Sequence, residues 1–261
     1  MHPSAGGPCY TGAVFTAGPA RGGHPPLTSR YLRRQSVVEL LRNALHIYRH
    51  HFLVVFVASA PFEIPFDAFL DYATSGDSIS VAWYIAGFLP LLCASSIGAG
   101  IQTVLLSDVL LGNAPGIRRA YSRVFGRRFW PFFATTLLAN SAIMLGFFAA
   151  IVPGFILLAW FMFVPMVVIL DNLTGKAALT RSRALGKGYY LRNLALLLVL
   201  VALDITADSL LRYVLSNGLL ISAVTSVFTV FESIVMVLLY YDLRARKEAY
   251  DSVALAEDLM R

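Results

Sequence analysis

Charge is scarce in this chain. Only 14% of its 261 residues are Asp, Glu, Lys or Arg, where a soluble domain carries nearer 25%. At the same time 57% are hydrophobic and the mean hydropathy is +0.68, so a bilayer suits this composition better than water. Lysine is scarcer still: Lys176, Lys187 and Lys247 stand against eighteen arginines. Cysteine is limited to Cys9 and Cys93, one in an expected tail and one in an expected span, which argues against a disulfide framework. Histidine occurs five times. His46 and His50 have chelating spacing, but a metal site needs three or four ligands, so neither metal nor cofactor is expected. Gly98 and Gly100 lack the rest of a dinucleotide loop. Nothing pairs a nucleophile, acid and base in the way an active site requires, and no enzymatic activity is expected. Residues 1–30 lack the apolar core of a signal peptide; rich in Gly, Pro, Ser and Ala, they read as a disordered tail.

What is abundant is apolar length. Ser36 and Glu39 have capping-box spacing, and Val37, Leu41, Leu45 and Tyr48 recur on one face, which predicts an interfacial helix feeding a first span over 51–70. Pro61, Glu63, Pro65 and Asp67 interrupt its outer half, and a loop is expected over 71–80. A second span covers 81–106, with Ala86, Pro90, Ala94 and Gly98 spaced by four as a close-approach face. A basic loop, 112–128, follows; Ile117, Tyr121, Val124 and Phe125 form a stripe that predicts a helix in the headgroup plane. The third span, 129–151, carries Trp130 at its interface and the small residues Ala142, Gly146 and Ala150. A Pro153-Gly154 turn leads to a fourth span over 155–170, kinked at Pro165. A second basic loop joins it to the fifth span, 193–215. Ser216, Asn217 and Gly218 form a turn before the sixth, 219–241. The expected fold is all-α: a polytopic membrane protein with six transmembrane helices in three hairpins and amphipathic cytoplasmic helices. Its domains would be a 1–30 tail, a 31–243 membrane domain and a 244–261 amphipathic tail.

Counting bases sets an orientation. Residues 30–51 hold five arginines, the two basic loops five basic residues each and the last stretch four, while the intervening short loops hold none. The positive-inside rule puts both termini in the cytoplasm of a cell inner membrane, with Arg212 as the exception. Arg118, Arg119, Arg123, Arg181, Arg183 and Lys187 are the candidate contacts to anionic headgroups. The pI near 9.5 is explained by that surface, and no nucleic acid is expected. Each even-numbered span ends on an aspartate: Asp108, Asp171 and Asp242. A carboxylate there opposes the helix dipole, so either the helix runs on or the aspartate pairs with a loop base. The Ala120–Arg123 and Ala178–Arg181 segments resemble each other as a weak repeat.

Ionisable groups inside spans are costly and mark function or helix glue. Asp204, Asp208 and Arg212 share one face of the fifth span. Glu232 of the sixth lies at a depth within about two turns of Asp204, and Glu63 and Asp67 form an i, i+4 pair in the first. Gln102 and Asn140 add polarity. Together they read either as a polar cavity for an ion, proton or headgroup, or as an internal ion-pair network led by Asp208 and Arg212.

Three pieces carry a family resemblance: Pro153-Gly154; Ala178, Leu179, Arg181, Ser182, Leu185 and Gly188; and the run from Tyr240 through Asp251. Together they resemble the bacterial multi-pass family named for the membrane domain of glycerophosphoryl diester phosphodiesterase. The resemblance implies a six-helix membrane domain without the catalytic barrel. It brings no active site; it implies a structural role for Asp242, Arg244 and Arg246 near the Arg181 loop. The expected function is a non-catalytic accessory or lipid-associated membrane domain, whose partners are membrane lipids and a second protein or copy. The competing expectation is a small permease using the intramembrane acids.

Overall fold

The computed structural model describes residues 34–75, 81–215 and 217–248. The expected tail 1–30, the part of the 244–261 tail beyond 248 and residues 76–80 of the loop over 71–80 lie outside them. Among the described residues every regular element is a helix. Helix α1 spans Val37–Ser75, α2 Val81–Leu110, α3 Ile117–Val124, α4 Phe129–Ala149 and α5 Ile151–Phe161. They are followed by α6 (Val164–Leu170), α7 (Gly175–Gly186), α8 (Tyr190–Val214) and α9 (Gly218–Glu248). Five stretches are long and apolar enough to cross a membrane: Val37–Phe69, Phe129–Ala149, Ile151–Leu170, Tyr190–Val214 and Leu220–Glu248. In α2 the apolar run identified among described residues is the shorter Ala94–Leu110. The described residues are thus those of an all-helical, membrane-embedded protein, with five stretches among them able to span.

The boundaries differ from expectation in four places. The interfacial helix and first span are one helix, α1, begun by the Ser36 hydroxyl accepting from the Glu39 amide at 3.2 Å. It continues past the expected end at 70 to Ser75 and carries Pro61 and Pro65 inside it. Its 39 residues amount to about 58 Å at ~1.5 Å per residue, roughly twice a hydrocarbon core. The turn before the fourth span falls at Ala150, whose backbone is extended (φ −172°, ψ 161°), and Pro153 and Gly154 lie in the first turn of α5. Proline fits there because first-turn amides have no intrahelical acceptor. Gly154 serves close approach: a Cβ on it would stand 2.3 Å from the Phe147 ring, and one on Gly146 3.1 Å from the Gly154 Cα. Pro165 breaks the fourth span into α5 and α6 where a kink was expected, since its ring excludes the Phe161 carbonyl. Finally, α9 runs unbroken to Glu248, through the domain boundary expected at 243.

The core lies at the end where the basic loops gather. Leu40 of α1, Ile101 and Leu105 of α2, Leu170 of α6, and Ile234 and Tyr241 of α9 are completely buried there. α1 packs along both α2 and α9, and α2 also touches α4 and α6. The basic loops fold onto this core as helices. α3 buries Ala120 and Val124, and its Tyr121 hydroxyl donates to the Ala58 carbonyl at 2.8 Å. α7 buries Ala178, Ser182 and Leu185. By contrast α8, with Leu191, Leu203 and Leu210 exposed, and the α4–α5 turn, with Phe148, Ile151 and Val152 exposed, turn apolar surface outward, which a bilayer covers.

Replacing Gly154 by valine drives a branched side chain into the Phe147 ring. The expected result is a loss of about 1–3 kcal/mol, read as a lowered unfolding midpoint in detergent.

Candidate functional site

Two constellations of charge stand out, and they differ in how well they are satisfied. The first surrounds the three span-ending aspartates. Asp242 is fully buried and accepts from the Gln35 amide at 2.7 Å, from Arg246 Nε at 2.8 Å and from Arg192 at the start of α8. Arg246 also donates to the Gln35 carbonyl at 2.6 Å, and the Gln35 side chain accepts from Asn43 at 2.9 Å. Asp171 accepts from Arg181 Nε at 2.7 Å, the Tyr240 hydroxyl at 2.9 Å and Arg244 Nη1 at 3.1 Å. Glu248 closes the ring, binding Arg181 and Arg244 Nε at 3.1 Å. Asp108 accepts from Arg119 Nη1 at 3.0 Å and the Gly116 amide at 3.3 Å.

Each aspartate is therefore paired with an arginine from another segment; for Asp108 and Asp171 this offsets an unfavourable place at a helix C-terminus, while the helix of Asp242 runs on to Glu248. The bonds cross between distant segments: 35 to 242, 192 to 242 and 171 to 244. Burial works against the charge of Arg181, but Glu248 and Asp171 outweigh it and raise the guanidinium above its usual range. Lys247 donates to the Lys187 carbonyl at 2.7 Å and to that of Ala184, capping the negative end of α7. The other loop bases divide. Arg123 donates to the Ile169 carbonyl at 3.3 Å, and Arg183 stacks on Trp160 with 3.8 Å to the ring centre. Arg118, Arg183 and Lys187 are exposed.

The second constellation sits among α1, α8 and α9. Glu63 is only 3% exposed and accepts from Ser95 at 3.3 Å. Gly98 makes room for it, since a Cβ there would lie 2.6 Å from Glu63 Oε1. Asp67, Asp204 and Glu232 are close enough to interact electrostatically with one another. Each has a buried oxygen without a hydrogen-bond partner: Asp67 Oδ2, Asp204 Oδ1 and Glu232 Oε1. Asp208 pairs with Arg212 at 2.7 Å, and both side chains are partly exposed. That pair forms the expected ion bridge, while the other acids have no such bridge among the described residues.

Sequence reasoning missed Gln35, Tyr240 and Glu248 as members of the first constellation. Glu248 lay in the terminal motif, but nothing in the local pattern marked Gln35. Ser59 Oγ and both polar atoms of Gln102 are also buried without partners; Ser59 precedes Glu63 by one turn and Gln102 follows Gly98 by one. Asn140 instead donates to Ser96 at 3.0 Å. The His46–His50 pair is a backbone device, with His50 Nδ1 donating to the His46 carbonyl at 2.8 Å. Among the described residues no group of three or more His, Cys, Asp or Glu is arranged to hold a metal.

Compared with known proteins, the chain matches no family model, no curated sequence and no solved structure.

Asp242→Asn leaves two arginines at a buried site without their charge partner. The expected cost is about 3–5 kcal/mol, seen as loss of monodisperse protein in detergent, whereas Arg118→Gln at the exposed face leaves stability unchanged.

Proposed function

We propose that this chain is a non-catalytic membrane domain of the glycerophosphoryl diester phosphodiesterase membrane-domain type. In this reading its basic end faces the cytoplasm of a cell inner membrane and rests on anionic headgroups. The observation that carries it is the division of the bases at that end. Arg119, Arg181, Arg192, Arg244 and Arg246 are spent on carboxylates within the fold. Arg118, Arg127, Arg183 and Lys187 remain exposed, as are Phe125 and Trp130, which flank Arg127 in the sequence. Aromatic residues and bases in one plane are the pattern of a headgroup interface. The terminal motif fits this reading, because Asp242, Arg244 and Arg246 each contact a segment far away in the sequence. A rigid end with outward charge fits an accessory domain that holds lipids or a partner.

A second reading, a small permease for protons or cations, is favoured by one observation: the unpartnered carboxylate oxygens of Asp67, Asp204 and Glu232. Unpaired carboxylates in a low-dielectric site are too costly to remain bare anions. They hold a proton or bind a cation.

Reconstitution separates the two. For the lipid-facing reading, the unfolding midpoint rises when nanodiscs of phosphatidylcholine are replaced by nanodiscs containing phosphatidylglycerol, in line with roughly 1 kcal/mol per contacting base. Equal midpoints in the two lipids contradict it. For the permease reading, liposomes carrying the protein collapse an imposed pH or cation gradient, and Asp204→Asn stops the collapse. Gradients as durable as in protein-free liposomes rule it out.

A further inference from the structure

Between α5 and α8 runs an apolar groove of about 420 Å³. Val152, Ile156 and Trp160 line it from α5, and Tyr190, Leu194 and Leu198 from α8. Val152, Ile156 and Leu198 are exposed, so the groove is open along its side. On each helix its lining covers a rise of about 12 Å at ~1.5 Å per residue. One leaflet of a bilayer offers a similar depth of hydrocarbon, about 15 Å, half of the ~30 Å core.

The end of the groove at Trp160 and Tyr190 is built by α7. Ser182 Oγ donates to the Trp160 carbonyl at 2.7 Å, and the Tyr190 hydroxyl donates to the Arg183 carbonyl at 2.6 Å. Gly186 lets the two helices meet, since a Cβ on it would stand 2.6 Å from the Tyr190 ring. These contacts hold Arg183 at the mouth, its guanidinium carbon 3.8 Å from the centre of the Trp160 ring. Stacking on a ring face leaves the N–H donors free, because they lie in the guanidinium's own plane. Arg181, two residues earlier, is held by Asp171 and Glu248. Among the described residues no carboxylate pairs with Arg183, nor with Lys187 one turn further on, and both are exposed.

We infer that this groove holds one acyl chain of an anionic phospholipid, with the phosphodiester on the Arg183 guanidinium and Lys187 beside it. Arginine's fork matches phosphate oxygens in bidentate fashion. A neutral apolar ligand would fill the groove and leave two bases at its mouth without a counter-charge. A small free anion would meet the bases and leave the groove empty. An anionic phospholipid answers both, with apolar length along α5 and α8 and negative charge at the one end where the bases stand. This inference deepens the lipid-facing reading and rests on it.

Native mass spectrometry of the whole chain in detergent, titrated with phosphatidylglycerol and with phosphatidylcholine of the same acyl chains, tests it. Arg183→Gln alters the mouth, while Ile156→Trp and Leu198→Trp each fill the groove. Arg42→Gln and Leu53→Trp change an exposed base and an exposed apolar residue of α1, away from it. Ile156, Leu198 and Leu53 face outward, so the larger ring does not enter the core, and either groove variant suffices if the other folds poorly. Loss of one charge-assisted hydrogen bond corresponds to a roughly tenfold or greater fall in affinity. The expected result is that fall for phosphatidylglycerol in Arg183→Gln, with a narrower preference over phosphatidylcholine. Both lipids bind more weakly to the groove variants, and the two α1 variants bind as the wild type does. If Arg42→Gln weakens phosphatidylglycerol binding as much as Arg183→Gln, the charge acts diffusely and the mouth is not a site. If the folded groove variants bind phosphatidylglycerol as the wild type does, no acyl chain lies in the groove. Either result overturns the inference and leaves the lipid-facing reading standing. If the wild type does not distinguish phosphatidylglycerol from phosphatidylcholine, the lipid-facing reading falls and the inference with it.

Discussion

Removing a carboxylate from water costs several kcal/mol, and only good geometry recovers it. This chain buries three of them at one end and surrounds each with donors drawn from other helices. Asp242 joins α9 to the residue before α1 and to the start of α8. Asp171 joins the end of α6 to α7 and α9. Asp108 joins α2 to α3. Because the partners are far apart in sequence, the network fixes how the hairpins meet rather than how any one helix forms. Between apolar helices in lipid there is little hydrophobic drive to choose one arrangement over another, so directional charge pairs at the rim carry that choice.

The opposite situation holds for the acids of α1, α8 and α9. Asp67, Asp204 and Glu232 approach one another, and among the described residues none of them forms an ion bridge. The contrast assigns the two groups different work. A satisfied buried network rigidifies; an unsatisfied one does not fix the helices in the same way. The exposed bases belong to neither, since they lie outward in the company of aromatic side chains. Charge thus falls into three sets: the pairs that hold the fold, the exposed bases, and the carboxylates of the apolar helices.

Much of this was legible in the sequence. The apolar runs and the paucity of charge gave the all-helical membrane class, and the recurring span-end aspartates pointed either to a helix running on or to pairing with a loop base; both occur at Asp242. The small residues Gly98 and Gly146 were readable as close approaches, and each is one; Gly154, read as part of a turn, is another. The element ends were less legible. Proline and glycine at 153 and 154 look like a turn, but a helix's first turn accommodates both, and the chain reverses at Ala150 instead. The unity of α1 was hidden because two prolines and two acids suggest interruption, whereas flanking helices let the helix continue. Which arginine serves which aspartate was not readable: the 35-to-242 and 171-to-244 contacts are set by tertiary packing, which leaves no local periodicity. The gathering of Asp67, Asp204 and Glu232 from three helices was foreseen only as a shared depth.

The most direct test of this account is a double-mutant cycle between Asp171 and Arg244, using Asp171→Asn, Arg244→Gln and the double variant, with unfolding free energy measured in detergent. If the carboxylate–arginine network fixes how the helices meet, the two substitutions couple by more than about 1 kcal/mol, beyond the ~0.3–0.5 kcal/mol expected of independent sites. Strictly additive losses would contradict the account and leave apolar packing of α1, α2 and α9 as what holds the fold.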